Sequence, residues 1–177
     1  VTALEGIRKQ FGAAQVTYEP GTNFLREMPP VPTSVLTTED GKPGLKAEYF
    51  GGDLSGTPQV TRTDPIVDLQ SFRLSPDPQA FLGPEGMKDF SVRWTGFLTP
   101  SESGTYQLGL FGSNSRMWFD GKLIVDHPVP FEFIEKTVSV SLTKGHRYPV
   151  KVEFLKGGFL TKMVWQLAGK DPMIEAT

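Results

Sequence analysis

The sequence predicts a mainly β fold, a two-sheet antiparallel β-sandwich of jelly-roll or barrel type with a short α/β stub at its N-terminus. Three observations predict it. Short runs with period-two alternation of apolar and polar residues recur from residue 44 onward, turn residues separate them, and 19 glycines with 15 prolines in 177 residues leave little room for long helices. The lack of cysteine removes disulfides, a thiol nucleophile and thiolate metal sites from consideration. A formal net charge of -2 offers no basic footprint for nucleic acid or anionic lipid, and no apolar run approaches a membrane span, so neither nucleic acid nor membrane is an expected partner.

The elements follow in order. Thr2 caps a short helix in which Leu4, Ile7 and Phe11 share one face, Gly12 ends it, and Val16, Thr17 and Tyr18 favour a strand. A helix and a strand cannot close a core alone, so residues 1 to 26 read as the edge of another α/β domain. Residues 27 to 43, with Pro29, Pro30 and Pro32, read as a partly extended connector. Leu45 to Phe50 opens the sandwich, and a loop-rich stretch runs from Gly51 to Lys88. Phe90 to Leu98 alternates Val92, Trp94 and Leu98. Ser101-Glu102-Ser103-Gly104 turns the chain, and Tyr106, Leu108 and Leu110 repeat the pattern on the way back. Arg116 to Phe119 and Lys122 to Val125 flank Asp120-Gly121, which tolerates the positive φ of a two-residue hairpin. Val138, Val140 and Leu142, then Tyr148, Val150, Val152 and Phe154, then Met163, Trp165 and Leu167 complete the series. At least two of Trp94, Trp118 and Trp165 belong to the core. The sandwich spans 44 to 169, and 170 to 177 leaves it.

No self-sufficient catalytic set is visible. His127 and His146 have no metal-ligand spacing, a lone loop histidine is most often simply exposed, and neither a nucleophile elbow nor a phosphate-cradling loop is present. Asp120 and Asp126 invite a reading as paired carboxylates, but Asp120 belongs to turn chemistry and Asp126 to a strand end. No catalytic residue, metal or cofactor is assigned.

Gly44-Leu45-Lys46-Ala47-Glu48-Tyr49-Phe50 resembles the opening strand of the protective-antigen-type domain, the PA-fourteen (PA14) module. Val92-Arg93-Trp94-Thr95-Gly96-Phe97-Leu98, Ser103-Gly104-Thr105-Tyr106, the run from Arg116 to Asp126 and the run from Gly145 to Glu153 resemble that family's motifs in order, over about residues 44 to 168. The resemblance implies a β-sandwich. The flanks, Val1 to Arg8 with Val16 to Gly21 and the tail Asp171-Pro172-Met173-Ile174-Glu175-Ala176, resemble the second, α/β domain of family-three glycoside hydrolases, β-glucosidases and β-xylosidases. That implies an insert with stubs of its host at both ends, and catalytic residues elsewhere in the host. Calcium-dependent lectins of the PA-fourteen family hold their ion with adjacent aspartates in the loop that here reads Gly112-Ser113-Asn114-Ser115, so a tight calcium site is not expected.

The ligand implied is an oligosaccharide, recognised by an aromatic face for the C–H patches of a pyranose and by polar groups for its hydroxyls. The first candidates are Phe131, Phe133, Asp126 and His127, in a proline-stiffened loop after the hairpin. Ser113, Asn114 and Arg116 come second, and Phe159, at an expected hairpin tip after Gly157-Gly158, third. The function expected is a non-catalytic carbohydrate-binding module acting in cis on host glycosidase domains, in the periplasm or outside the cell. The alternatives are a structural docking module and a free-standing lectin or adhesion domain.

Overall fold

The structure, a computed structural model, describes residues 8–11, 28–70, 82–83, 86–87 and 90–169. Residues 8–11 are helical, while the strand expected at 16–18 and the return at 170–177 lie outside the described residues.

Two antiparallel sheets face each other. The larger has the order β10-β9-β12-β7-β2-β3, formed by Lys122–His127, Ser115–Phe119, Tyr148–Phe154, Phe90–Leu98, Leu45–Gly51 and Val60–Asp64, with β1 (Leu36–Thr37) also paired to β7. The smaller has the order β11-β8-β13-β4, formed by Ile134–Leu142, Gly104–Gly112, Leu160–Leu167 and Asp68–Gln70. A two-residue pair, β5 (Leu82–Gly83) with β6 (Gly86–Met87), stands apart.

Alternation places one side chain in two inside. Met117, Val152, Trp94 and Ala47 lie opposite one another across β9, β12, β7 and β2 and are buried, where they join Leu108, Leu110 and Met163 of the smaller sheet in one core. Trp94 is fully buried and Trp165 packs against the core, its ring 4.8 Å from that of Tyr106. Trp118 lies outside, beneath the Lys151 ammonium at 3.5 Å. Burying Trp94 and Tyr49 requires partners for their polar ends, and Asp64 supplies them. Its Oδ2 accepts from Trp94 Nε1 at 2.8 Å and from the Tyr49 hydroxyl at 2.6 Å, while Arg62 Nε donates to Oδ1 at 2.6 Å.

Three expectations are corrected. The stretch 27 to 43 is more than a connector from residue 30 on: Val31, Val35 and Leu36 are core residues, Pro30 bridges to Val164, and β1 pairs with β7. Proline removes donors but does not prevent service at a sheet edge. The turn at 101–104 does not make a hairpin, because β7 and β8 belong to different sheets. Nor is Lys156-Gly157-Gly158 a hairpin tip, since β12 and β13 are likewise in different sheets. Alternation specifies faces and leaves pairing open. The Asp120-Gly121 hairpin is as expected, with φ of 49° and 75° at the two turn residues and Phe119 opposite Lys122.

Candidate functional site

The fold collects three connections at one end of the sandwich. The chain crosses between sheets at 113–114 after β8, at 128–133 after β10 and at 155–159 after β12. Register puts these crossings together: Ser115 lies opposite both His127 and Phe154, and Gly112 opposite both Ile134 and Thr161.

The first crossing is a buried brace. Asn114 adopts φ 45°, which asparagine tolerates better than most residues, and its Nδ2 donates to Lys156 O at 2.7 Å and Leu155 O at 3.3 Å. Its backbone N–H donates to Val129 O at 3.0 Å, tying the second crossing down. Ser113 Oγ accepts from the Phe159 N–H at 3.0 Å, tying the third. Gly158 fits between these parts, since a Cβ there would stand 2.5 Å from Phe154 Cε2 and 3.2 Å from Asn114 Cβ.

His127 is 3% exposed at the end of β10, so the expectation of an exposed loop histidine is corrected. Its Nε2 lies 2.9 Å from Glu132 O, and because a carbonyl can only accept, Nε2–H is the donor. The loop 128–133 is therefore fastened near both ends, at Val129 and at Glu132.

What this frame presents is aromatic. Phe131 is 74% exposed, Phe133 47% and Val129 42%. Phe159 is half-buried beneath them, 5.3 Å from the Phe131 ring and 5.9 Å from the Phe133 ring between centroids. The structure thus brings the two phenylalanines of the first candidate group together with Phe159, the third, in one cluster, in which the Phe159 plane meets those of Phe131 and Phe133 at 52° and 64°. Because the rings are not coplanar, the open face of Phe131 offers a platform for one flat apolar surface at a time.

The polar candidates stand elsewhere. Ser113, Asn114 and His127 are buried and bonded within the chain, so they position the rings. Asp126 and Arg116 face each other on the outer side of the hairpin, Nε to Oδ1 2.8 Å. A register shift between Leu123 and Val125 on β10 sets this up, because the extra residue sends Leu123 outward and Val125 inward and leaves Asp126 outside. Sequence reasoning missed the bulge and the anchoring role of His127. Among the described residues no three His, Asp or Glu side chains stand together as a metal would require, and no helix is long and apolar enough to cross a membrane.

The family model of the PA14 domain matches residues 41–173. Among curated proteins, the anti-sigma-I factor RsgI3 of Acetivibrio thermocellus is 31% identical over 112 residues, 63% of this chain and 17% of that protein. Probable beta-glucosidase K of Aspergillus fumigatus is 28% identical over 165 residues, 86% of this chain and 21% of that protein. The chain spans about a fifth of the length of these relatives. Among solved structures, the beta-glucosidase from Kluyveromyces marxianus in complex with glucose matches with a TM-score of 0.65 at 22% identity, over 97% of this chain and 22% of that one. The PA14 sugar-binding domain from an RTX adhesin matches with a TM-score of 0.52 at 18% identity, over 72% of this chain and 92% of that one. Both structural matches speak to the fold. With the family's motifs lying on strands β2, β7, β8, β9, β10 and β12 of a two-sheet sandwich, and with the family match running over nearly all of it, the chain belongs to the PA14 domain family.

Proposed function

We propose that the chain is a carbohydrate-binding module with no catalytic role of its own, carried by a β-glycosidase outside the cytoplasm, in the periplasm or the extracellular space. It shapes the host's preference among oligosaccharides by presenting Phe131 to sugar units beyond the one being cleaved. The observation that carries this reading is the Phe131 ring, 74% exposed on a loop held at Val129 by Asn114 and at Glu132 by His127. An open aromatic ring on a fixed loop stacks against a pyranose with little ordering cost. Relatives named as probable beta-glucosidases and a structural neighbour named as a sugar-binding domain support the host and the ligand.

The contribution is positioning rather than bond cleavage. The test is Phe131→Ala in the full-length enzyme. Turnover of a short aryl glycoside holds, while the profile across oligosaccharide lengths shifts. Equal loss on both substrates sinks the reading. A second reading, docking against a neighbouring domain or subunit, is favoured by three exposed apolar side chains, Val129, Phe131 and Phe133, on the one loop between β10 and β11. Under docking, Phe131→Ala loosens the assembly and leaves the length profile unchanged.

A further inference from the structure

At the other end of the larger sheet, on its outer face, lies an open groove of about 820 Å³ between the loop at residues 38–42 and strands β2, β3 and β7. We propose that this groove is a second binding site, for a neutral oligosaccharide, independent of the aromatic tip.

The floor is set by register. Lys46 on β2 lies opposite Thr63 on β3 and Thr95 on β7, so a hydroxyl, an ammonium and a second hydroxyl line up across three strands. The wall is preformed. Thr38 Oγ1 donates to Asp40 Oδ1 at 2.5 Å, Lys42 N–H donates back to Thr38 Oγ1 at 3.0 Å, and Thr38 N–H donates to Lys42 O at 2.9 Å. Arg147 clamps this loop from behind, donating from Nη2 to Thr38 O at 2.8 Å and to Glu39 O at 3.2 Å, with its guanidinium 3.7 Å from the Phe97 ring centre. A wall already fixed loses little freedom when a ligand arrives.

Charge decides the ligand class. Lys42 pairs with Asp40 at 2.8 Å, Lys46 with Glu48 at 2.6 Å and Arg62 with Asp64 at 2.6 Å. The hydrogen bond from Lys42, ahead of that from Thr38, keeps the Asp40 carboxyl below its ordinary range, so the pair stays ionised. A phosphate or carboxylate ligand would have to displace these partners. A neutral polyol gains hydrogen bonds from ammonium and carboxylate alike and displaces neither. A peptide added as a strand is disfavoured too, because strands add at a sheet's edge and the groove lies on the face, over β2 and β7, each bonded on both sides, with β3 at its border. On β12, Val150 borders the groove and Leu155 begins the tip crossing, five residues or roughly 16 Å further along, which keeps the two sites separate.

The test is residue-resolved NMR titration of the full chain with cellotetraose, xylotetraose and mannotetraose, and with a galacturonate tetramer as the charged arm. The expected result is a saturable shift of the Lys42, Thr63 and Thr95 amides with at least one neutral tetramer, and weaker binding of the galacturonate. The double variant Thr63→Val, Thr95→Val keeps the branched shape and weakens this binding about fivefold or more by loss of two hydroxyls, while Phe131→Ala leaves it unchanged. No saturable groove shift with any of the three neutral tetramers, unchanged affinity in the double variant, or preference for galacturonate overturns the proposal. Shifts confined to residues 129–133 and abolished by Phe131→Ala also overturn it, while leaving the tip reading intact.

Discussion

Phe131 and Phe159 come from different crossings between the sheets and meet with ring centres 5.3 Å apart. The exposed ring therefore rests on a half-buried one, whose own backbone N–H is held by Ser113. Removing the two rings should have different consequences. Phe131→Ala deletes a solvated ring and changes stability by less than about 0.5 kcal/mol. Phe159→Ala removes the support and costs about 1 to 2 kcal/mol. Urea unfolding of the two variants checks the split, and equal losses would show that Phe131 is part of the core.

His127 acts on the same loop from below. His127→Ala leaves the Glu132 carbonyl without its donor and opens a void at the end of β10, and the cost expected is about 2 kcal/mol. Hydrogen exchange at 130–133 should accelerate more than exchange in β12. If exchange in that loop is unchanged, the Asn114–Val129 bond alone fixes it.

Asn114 carries two requirements at once, a left-handed backbone and two side-chain bonds, and substitutions separate them. Asn114→Gly accommodates φ 45° but loses the bonds to Leu155 and Lys156, for about 1 kcal/mol. Asn114→Ala loses both, for about 2 kcal/mol. Chemical denaturation should rank them in that order, and an alanine variant as stable as the glycine variant means the backbone term is negligible.

The strands and the Asp120-Gly121 turn were legible because period two and a dipeptide with positive φ are local properties of the chain. The exposed aromatic cluster was legible for a related reason: Phe131 stands between Pro130 and Glu132, where no strand pattern could absorb it. Whether consecutive strands pair or part was not legible, since Val92, Trp94 and Leu98 alternate identically in a hairpin and in a sheet-to-sheet corner. The roles of Ser113, Asn114 and His127 were hidden by the same gap. A polar residue in a presumed loop reads as a ligand contact until the crossings at 113–114, 128–133 and 155–159 are known to meet. The bulge at Leu123 to Val125, which settles that Asp126 faces outward toward Arg116, leaves no mark in composition at all.

The last prediction concerns pH. Burial first, and the hydrogen bond to Asp64 second, push the Tyr49 phenol above its ordinary value of 10.0. The folded state keeps that proton where the unfolded chain releases it. Stability from this source is complete below about pH 10 and is lost as pH rises beyond it, because the unfolded chain then binds fewer protons than the folded one. Tyr49→Phe retains the ring, which meets Trp94 edge-on at 6.5 Å between centroids, but loses the bond to Asp64. It should be less stable at neutral pH by about 1 to 2 kcal/mol. It should also lose less on going from about pH 9 to about pH 11, because it has no phenol to ionise on unfolding. Thermal unfolding across that range reads both effects. Parallel alkaline limbs for the two proteins would mean that other groups carry the alkaline loss and that the buried phenol contributes none of it.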